Sequence, residues 1–311
     1  MTTKTRPEFP ASTRFLLVAL AVAMSCAAPL RLAAQEPDAT LQKGIDVYNK
    51  GIDAFNKNDF DAALDDFCEA IEIDPKLAQA YNSRGRVYGS RGDYEKAIND
   101  FDLALQLDPR LEEAYYSRGR VFAARGDNAN AIADYSAALK INPYDAQAYF
   151  YRGSAYGTQE NYNLAIADFN MAIQFDPKLG QAYHLRGGAY KAKGDYVKAL
   201  KDYTQTLKLE PKNGEAYNDR AWLLATCPDA TVRNGAQAVA DATEACALSN
   251  WKNPATIDTL AAACAEAGDF ASAVKWETKC LAFPDLDPTA AADANSHLAV
   301  YQAHRPYHAD P

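Results

Sequence analysis

From Gly44 onward, small and apolar residues recur in two alternating helical patterns. Between Ala80 and Pro109, Tyr81, Gly85 and Tyr88 fall at i, i+4 and i+7, which is one face of a first helix. Gly92-Asp93 interrupts it with a residue free to adopt positive φ and a residue suited to an N-cap. Tyr94, Ala97, Phe101 and Ala104 then line one face of a second helix. Asp108-Pro109 ends that helix, because proline disfavours helical geometry in the residue before it. A single hairpin of this size cannot bury its apolar face alone, so the pattern predicts stacked neighbours.

The unit returns every 34 residues. Tyr81, Tyr115, Tyr149, Tyr183 and Tyr217 keep that step, as do Gly51, Gly85, Gly119, Gly153 and Gly187. Ala63, Ala97, Ala131, Ala165 and Ala199 follow it, and so do the aromatic positions Phe67, Phe101, Tyr135, Phe169 and Tyr203 and the prolines from Pro75 to Pro211. Aromatic–x3–Gly–x2–Tyr on the first helix and Ala–x3–Phe–x2–Ala on the second resemble the tetratricopeptide repeat family. The resemblance runs from Gly44 to about Pro288, with units at 44–77, 78–111, 112–145, 146–179 and 180–213. A sixth, degenerate unit (214–252) carries an insertion around CPDATVRNG, and a seventh spans 253–287. Residues 288–311 read as a capping helix and tail, with Asp287-Pro288 as its N-cap and first turn. The fold expected is an all-α solenoid of about seven helical hairpins closed by that C-terminal helix.

The seventh place of each unit holds Arg84, Arg118, Arg152, Arg186 and Arg220, where the family usually has an apolar residue. Asp66, Asp100, Asp134, Asp168 and Asp202 recur on the second helices, with Asp241 in the displaced sixth unit. Each arginine is predicted to pair with the aspartate of the preceding unit, Arg84 with Asp66 through Arg220 with Asp202. Pairing within a unit is the alternative, since Lys50 in the first unit has only Asp66 to serve. Such a pair would set register rather than do chemistry.

The family resemblance implies a concave groove, lined by first helices, that binds peptides. Carried onto this chain, its positions are Tyr48, Asn82, Arg86, Tyr116, Arg120, Phe150, His184, Lys191, Asn218 and Trp222. Aromatic and arginine side chains are the types that dominate binding hot spots. The Lys/Asn clamp of the chaperone-binding subclass is not reproduced by Asn82 and Arg86.

Charge narrows the partner. The chain carries 32 Lys+Arg against 41 Asp+Glu, a net charge of −9. Its first 34 residues hold Lys4, Arg6, Arg14 and Arg31 against Glu8, so the remainder is more acidic still. An acidic chain repels a phosphate backbone, which excludes a dedicated nucleic-acid binder. Residues 1–34, with a basic start, the apolar run Phe15–Leu30 and small residues near Ala34, read as a secretory signal peptide, followed by a short linker at 35–43. Lipid attachment at Cys26 and an uncleaved anchor are the alternatives, and either would be the chain's only link to a membrane. An exported, periplasmic or envelope protein follows.

Cleavage leaves five cysteines, an odd number with no CxxC pair, so neither a full disulfide framework nor a zinc ribbon is expected. Cys246, Cys264 and Cys280 fall on buried repeat positions, while one C-terminal disulfide stays open in an oxidising compartment. No GxSxG, HExxH, P-loop or GxGxxG string occurs. Pro306 separates His304 from His308, which argues against a helical metal pair. No catalytic residue, cofactor or metal is expected. The function read from the chain is a non-enzymatic scaffold that holds a protein or peptide. The alternatives are a structural or tethering component of an envelope assembly acting by self-association and, less directly, a glycan binder using the groove aromatics.

Overall fold

The computed structural model describes residues 39–309, and residues 1–34, read above as a signal peptide, lie outside them with Cys26. Fifteen helices and no strands occur among the described residues. In chain order they are α1 (Ala39–Asn56), α2 (Phe60–Ile73), α3 (Ala78–Ser90), α4 (Tyr94–Leu107), α5 (Glu112–Ala124), α6 (Asn128–Ile141), α7 (Ala146–Thr158), α8 (Tyr162–Phe175), α9 (Gly180–Ala192), α10 (Tyr196–Leu209), α11 (Gly214–Thr226), α12 (Gly235–Leu248), α13 (Pro254–Glu266), α14 (Phe270–Leu281) and α15 (Pro288–Gln302). Odd and even helices form hairpins, and each even helix packs on the next odd one. First helices of neighbouring hairpins also touch, α3 on α5, α5 on α7 and α7 on α9. The result is an α-solenoid.

Close approach within a hairpin has a plain cause. A Cβ placed on Gly85 would lie 2.8 Å from the Phe101 ring, and one on Gly119 would lie 2.9 Å from Tyr135. Glycine on the first helix thus seats the aromatic ring of the second. Those rings, Phe67, Phe101, Tyr135, Phe169 and Tyr203, are all buried. The turns need a left-handed residue, supplied by Gly92, Gly126 and Gly194. Glu160 takes the same place with φ of 60°. Asp93 stands at an N-cap, yet its side chain makes no cap hydrogen bond, whereas Asp59 and Asp127 accept from Ala62 N and Asn130 N at 3.2 Å.

The expected ion pairs Arg84–Asp66, Arg118–Asp100, Arg152–Asp134, Arg186–Asp168 and Arg220–Asp202 are not formed. Each arginine instead grips the aspartate of its own hairpin: Arg84 with Asp100, Arg118 with Asp134, Arg152 with Asp168, Arg186 with Asp202 and Arg220 with Asp241. Every grip is bidentate, with Nε and Nη2 donating to the two carboxylate oxygens at 2.7–2.8 Å. The glycine–aromatic seat explains the choice. It draws the first helix onto its own second helix beside these residues, within reach of a side-on fork.

The preceding hairpin is still held, by a different residue. Nη1 of Arg84 donates to Cys68 Sγ at 3.4 Å, that of Arg152 to Ser136 Oγ at 3.0 Å, and that of Arg186 to Asn170 Oδ1 at 2.6 Å. Arg220 reaches Thr204 Oγ1 at 3.3 Å, and Arg118 reaches Asp102. Each guanidinium also lies 5.3–6.0 Å over the tyrosine one turn earlier, from Tyr81 to Tyr217. Burial pushes the Asp134 carboxyl up even with Arg118 bonded to it. At Asp134 desolvation therefore outweighs the bond, while the same bond holds Arg118 more firmly charged, and what all the pairs share is their geometry. In the first hairpin Lys50 donates once to Asp66, at 2.5 Å, with its side chain 73% exposed.

Beyond α10 the construction changes. Residues 227–234 join α11 to α12, against 91–93 in the second hairpin. Arg233 pins that longer loop, donating to the carbonyls of Cys227 and Pro228 and to Glu266 Oε1 on α13. The last residues fold back on α11, where Ala309 N donates to Thr226 O at 2.8 Å. One apolar cluster spans α11 to α15, from Ala221 through Ile257 and Leu260 to Tyr301. Cys246, Cys264 and Cys280 are buried within it, and all five cysteines among the described residues are free thiols.

Candidate interaction surface

The structure distributes the sequence-predicted groove residues over three cavities and the core. Arg86, Tyr116 and Arg120 come together in a cavity of about 420 Å³ between α3 and α5. Gly89, Ser90, Ser117, Val121 and Ala124 also line it, with Phe55 and Tyr94. Both arginines are exposed. Arg86 lies 4.8 Å over the Phe55 ring, and Arg120 lies 5.4 Å over Tyr151 and 6.0 Å over Tyr116. Tyr116 is held edge-on to Tyr151 with ring centres 5.8 Å apart, and 6.1 Å from Tyr135. Burial raises the Tyr116 hydroxyl above its ordinary range, so it stays a neutral donor. Two guanidinium groups thus lie over an aromatic floor, and Glu113 is the one acidic residue lining the cavity.

His184 and Asn218 line a second cavity of about 430 Å³, with Lys212, Glu215 and Asp219. His184 Nε2 is 2.8 Å from Asp219 Oδ2, so its ring is already engaged. Trp222 forms part of the wall of a third cavity, of about 530 Å³, and is partly covered by aromatic neighbours. Tyr307 of the returning tail and His297 pack on it with ring centres 6.1 and 5.8 Å away. Asn82 and Phe150 are buried, 6% and 7% exposed, and Phe150 sits 6.2 Å from Phe169 as part of a core cluster. Tyr48 is half-buried beside Phe67, with its hydroxyl 3.4 Å from Ser83 Oγ, and Lys191 lies half-buried in the last turn of α9. Phe55 was not among the predicted positions. Its signal was its place in the unit, the same as that of Gly89.

Stacked helical hairpins with a polar and aromatic cavity between first helices define a repeat solenoid. The sequence profile of the family described as "Tetratricopeptide repeat" matches residues 45–77, 78–111, 146–179 and 180–213, and that described as "TPR repeat" matches 119–160. Together these cover more than half of the chain, which belongs to the tetratricopeptide repeat family.

Two solved structures agree on the fold. A tetratricopeptide repeat protein from Parabacteroides merdae superposes with a TM-score of 0.57 at 18% identity, covering 84% of this chain and 99% of that one. YrrB, described as a TPR protein with an unusual peptide-binding site, gives 0.51 at 23% identity over 59% of this chain and 98% of its own. MamA gives 0.49 at 27% identity over 57% and 94%. No curated protein matches the chain.

Proposed function

We propose that this protein is a non-enzymatic scaffold that holds an acidic peptide segment of a partner protein in the cavity between α3 and α5. The observation that carries the reading is the pair of exposed arginines, Arg86 and Arg120, set over Phe55, Tyr116 and Tyr151 in an otherwise acidic chain. Arginine forks match carboxylates bidentately, and aromatic floors add area at low conformational cost. Stacking limits the motion of both guanidinium groups, so little freedom is lost when a ligand arrives. The likeness to YrrB supports the fold on which such a surface is built. Export, proposed from residues 1–34, would place the partner in the cell envelope, and no helix among the described residues is long and apolar enough to cross a membrane.

The test is selection of displayed peptides on the purified protein, with the Arg86→Glu, Arg120→Glu double variant as counter-target after circular dichroism shows its helix content unchanged. Enrichment of acidic sequences that bind the native protein and not the variant is the expected result. Peptides retained equally by both would move the binding surface elsewhere. Self-association with no peptide selected would favour the tethering role. Protein recovered with its first 34 residues intact from the cytoplasm would end the export proposal.

A further inference from the structure

The seventh hairpin departs from the others at one place that packing does not explain. Helices α13 and α14 begin at 254 and 270, the same spacing as α3 and α4, at 78 and 94. On that register Glu277 of α14 stands where Phe101 stands on α4, the position that holds a buried ring in five earlier hairpins. Glu277 is 0% exposed, and with both acids ionised neither of its carboxylate oxygens meets a donor; only a proton shared with Asp258 would give it a hydrogen bond. A buried carboxylate without partners is costly, and native structures rarely keep one without a reason.

Two side chains converge on it from neighbouring helices. Asp258 of α13 and His297 of α15 each bring a ligand atom, and the three atoms lie within 4.8 Å of one another. His297 is 6% exposed, with Nδ1 2.9 Å from Asp258 Oδ1. Asp258 and His297 also line a cavity of about 530 Å³, whose rim carries Asp285, Asp287 and Asp293 and whose wall includes Trp222 and Tyr307. Negative charge at the mouth draws cations inward. Burial and the facing Asp258 carboxylate hold the Glu277 carboxyl far above its ordinary range when only a proton neutralises the pair.

We infer that Asp258, Glu277 and His297 form a binding site for one divalent transition-metal cation, with zinc as the natural occupant. One imidazole and two carboxylates suit zinc better than calcium or magnesium, which favour all-oxygen shells. The cation would supply the charge that Glu277 lacks and tie three helices at the end of the solenoid. Its remaining coordination position would face the cavity. The site is independent of the peptide-binding cavity between α3 and α5.

The experiment uses the full chain, stripped with a chelator and dialysed against Zn²⁺. The expected result is one Zn²⁺ retained per chain and a melting temperature that rises with free Zn²⁺. Co²⁺ in its place should give visible ligand-field absorption. Glu277→Gln keeps the shape and stands for the protonated acid, so it should keep native helix content and lose both the retained metal and the melting shift. Asp258→Asn should weaken retention at least tenfold. His308→Ala, which removes the exposed imidazole bonded to Glu266, should leave binding unchanged. Absence of retained metal in the native chain, or retention unchanged in Glu277→Gln, would overturn the inference. Loss of the metal in His308→Ala would do the same, because it places the ion elsewhere.

Discussion

Hairpins α3–α4 to α9–α10 and the block from α11 to α15 use the same building unit and hold it together differently. In the first region the apolar core is divided into small separate clusters, such as Ala78, Ala104, Leu105, Leu111 and Ala114. What recurs in the same form in every hairpin is polar: a tyrosine beneath a guanidinium and a forked grip on the hairpin's own aspartate, with one further N–H that crosses the junction to the hairpin before. In the second region a single apolar cluster runs through five helices. On the shared register, buried Leu260 of α13 takes the place of Arg84 and half-buried Trp276 of α14 that of Asp100, so α13 and α14 lack the clamp altogether. A repeated polar pin spaces units identically but adds little net stability, because desolvation opposes it. A continuous core stabilises more and tolerates irregular spacing, which is where the insertion at 227–234 and the returning tail are found.

Breaking the pin tests the first half of that contrast. Asp168→Ala leaves Arg152 partly buried without its carboxylate and should lower unfolding free energy by about 3–5 kcal/mol, read by urea denaturation. Replacing Arg152 and Asp168 together with Met and Leu should recover most of that loss, since the pair's attraction is offset by desolvation. Failure of the double change to recover would mean that the pins stabilise as well as space.

The second half is tested in the core. Ile257→Ala, at a side chain 0% exposed, should cost about 2–4 kcal/mol. Its loss should appear as one cooperative transition of α11–α15, seen by protection of their amides from hydrogen exchange falling together. Separate loss in α13 alone would show the block to be as modular as the repeats.

Smaller effects sharpen the picture within the regular array. Glu160 adopts the left-handed conformation that glycine fills at the equivalent turns, so Glu160→Gly should stabilise by about 1 kcal/mol in thermal or urea unfolding. Glu112 at the start of α5 is raised to about 7 by burial and by the facing Asp145. The folded carboxyl therefore holds its proton more tightly than the unfolded one. Its favourable contribution is complete below the unfolded value near 4.3 and is lost as pH rises through about 7. Glu112→Gln should flatten the fall in melting temperature between pH 5 and pH 8, and only slightly, because solvent reaches part of the group and screens it. An unchanged slope would remove Glu112 as its source.

Much of this was legible in the chain. The 34-residue step carries the helix pairs, the turns and the seat of glycine under an aromatic ring, because packing of identical units must repeat whatever it uses. The partner of each arginine was not. Arg84 is 18 positions from Asp66 and 16 from Asp100, and both intervals recur with the period. Only the approach of the two helices decides between them. Arg86 and Arg120 could be read from register alone, since exposed positions keep their side chains free. Asn82 and Phe150 occupy the same repeat position, on a shoulder of α3 and of α7 that turns inward. Trp222 is covered by Tyr307, whose return path across α11 leaves no periodic trace. The isolated Glu277 was visible in retrospect as an acid written into an aromatic column.

The third N–H of each arginine has a consequence for how such a chain changes length. Its acceptors on the preceding hairpin are a thiol, a carboxylate, two hydroxyls and an amide, at Cys68, Asp102, Ser136, Thr204 and Asn170. The connection asks only for a small electron-rich atom at a set place. Any regular hairpin can therefore follow any other, and duplication or deletion of a whole 34-residue segment would leave a join no different from the existing ones.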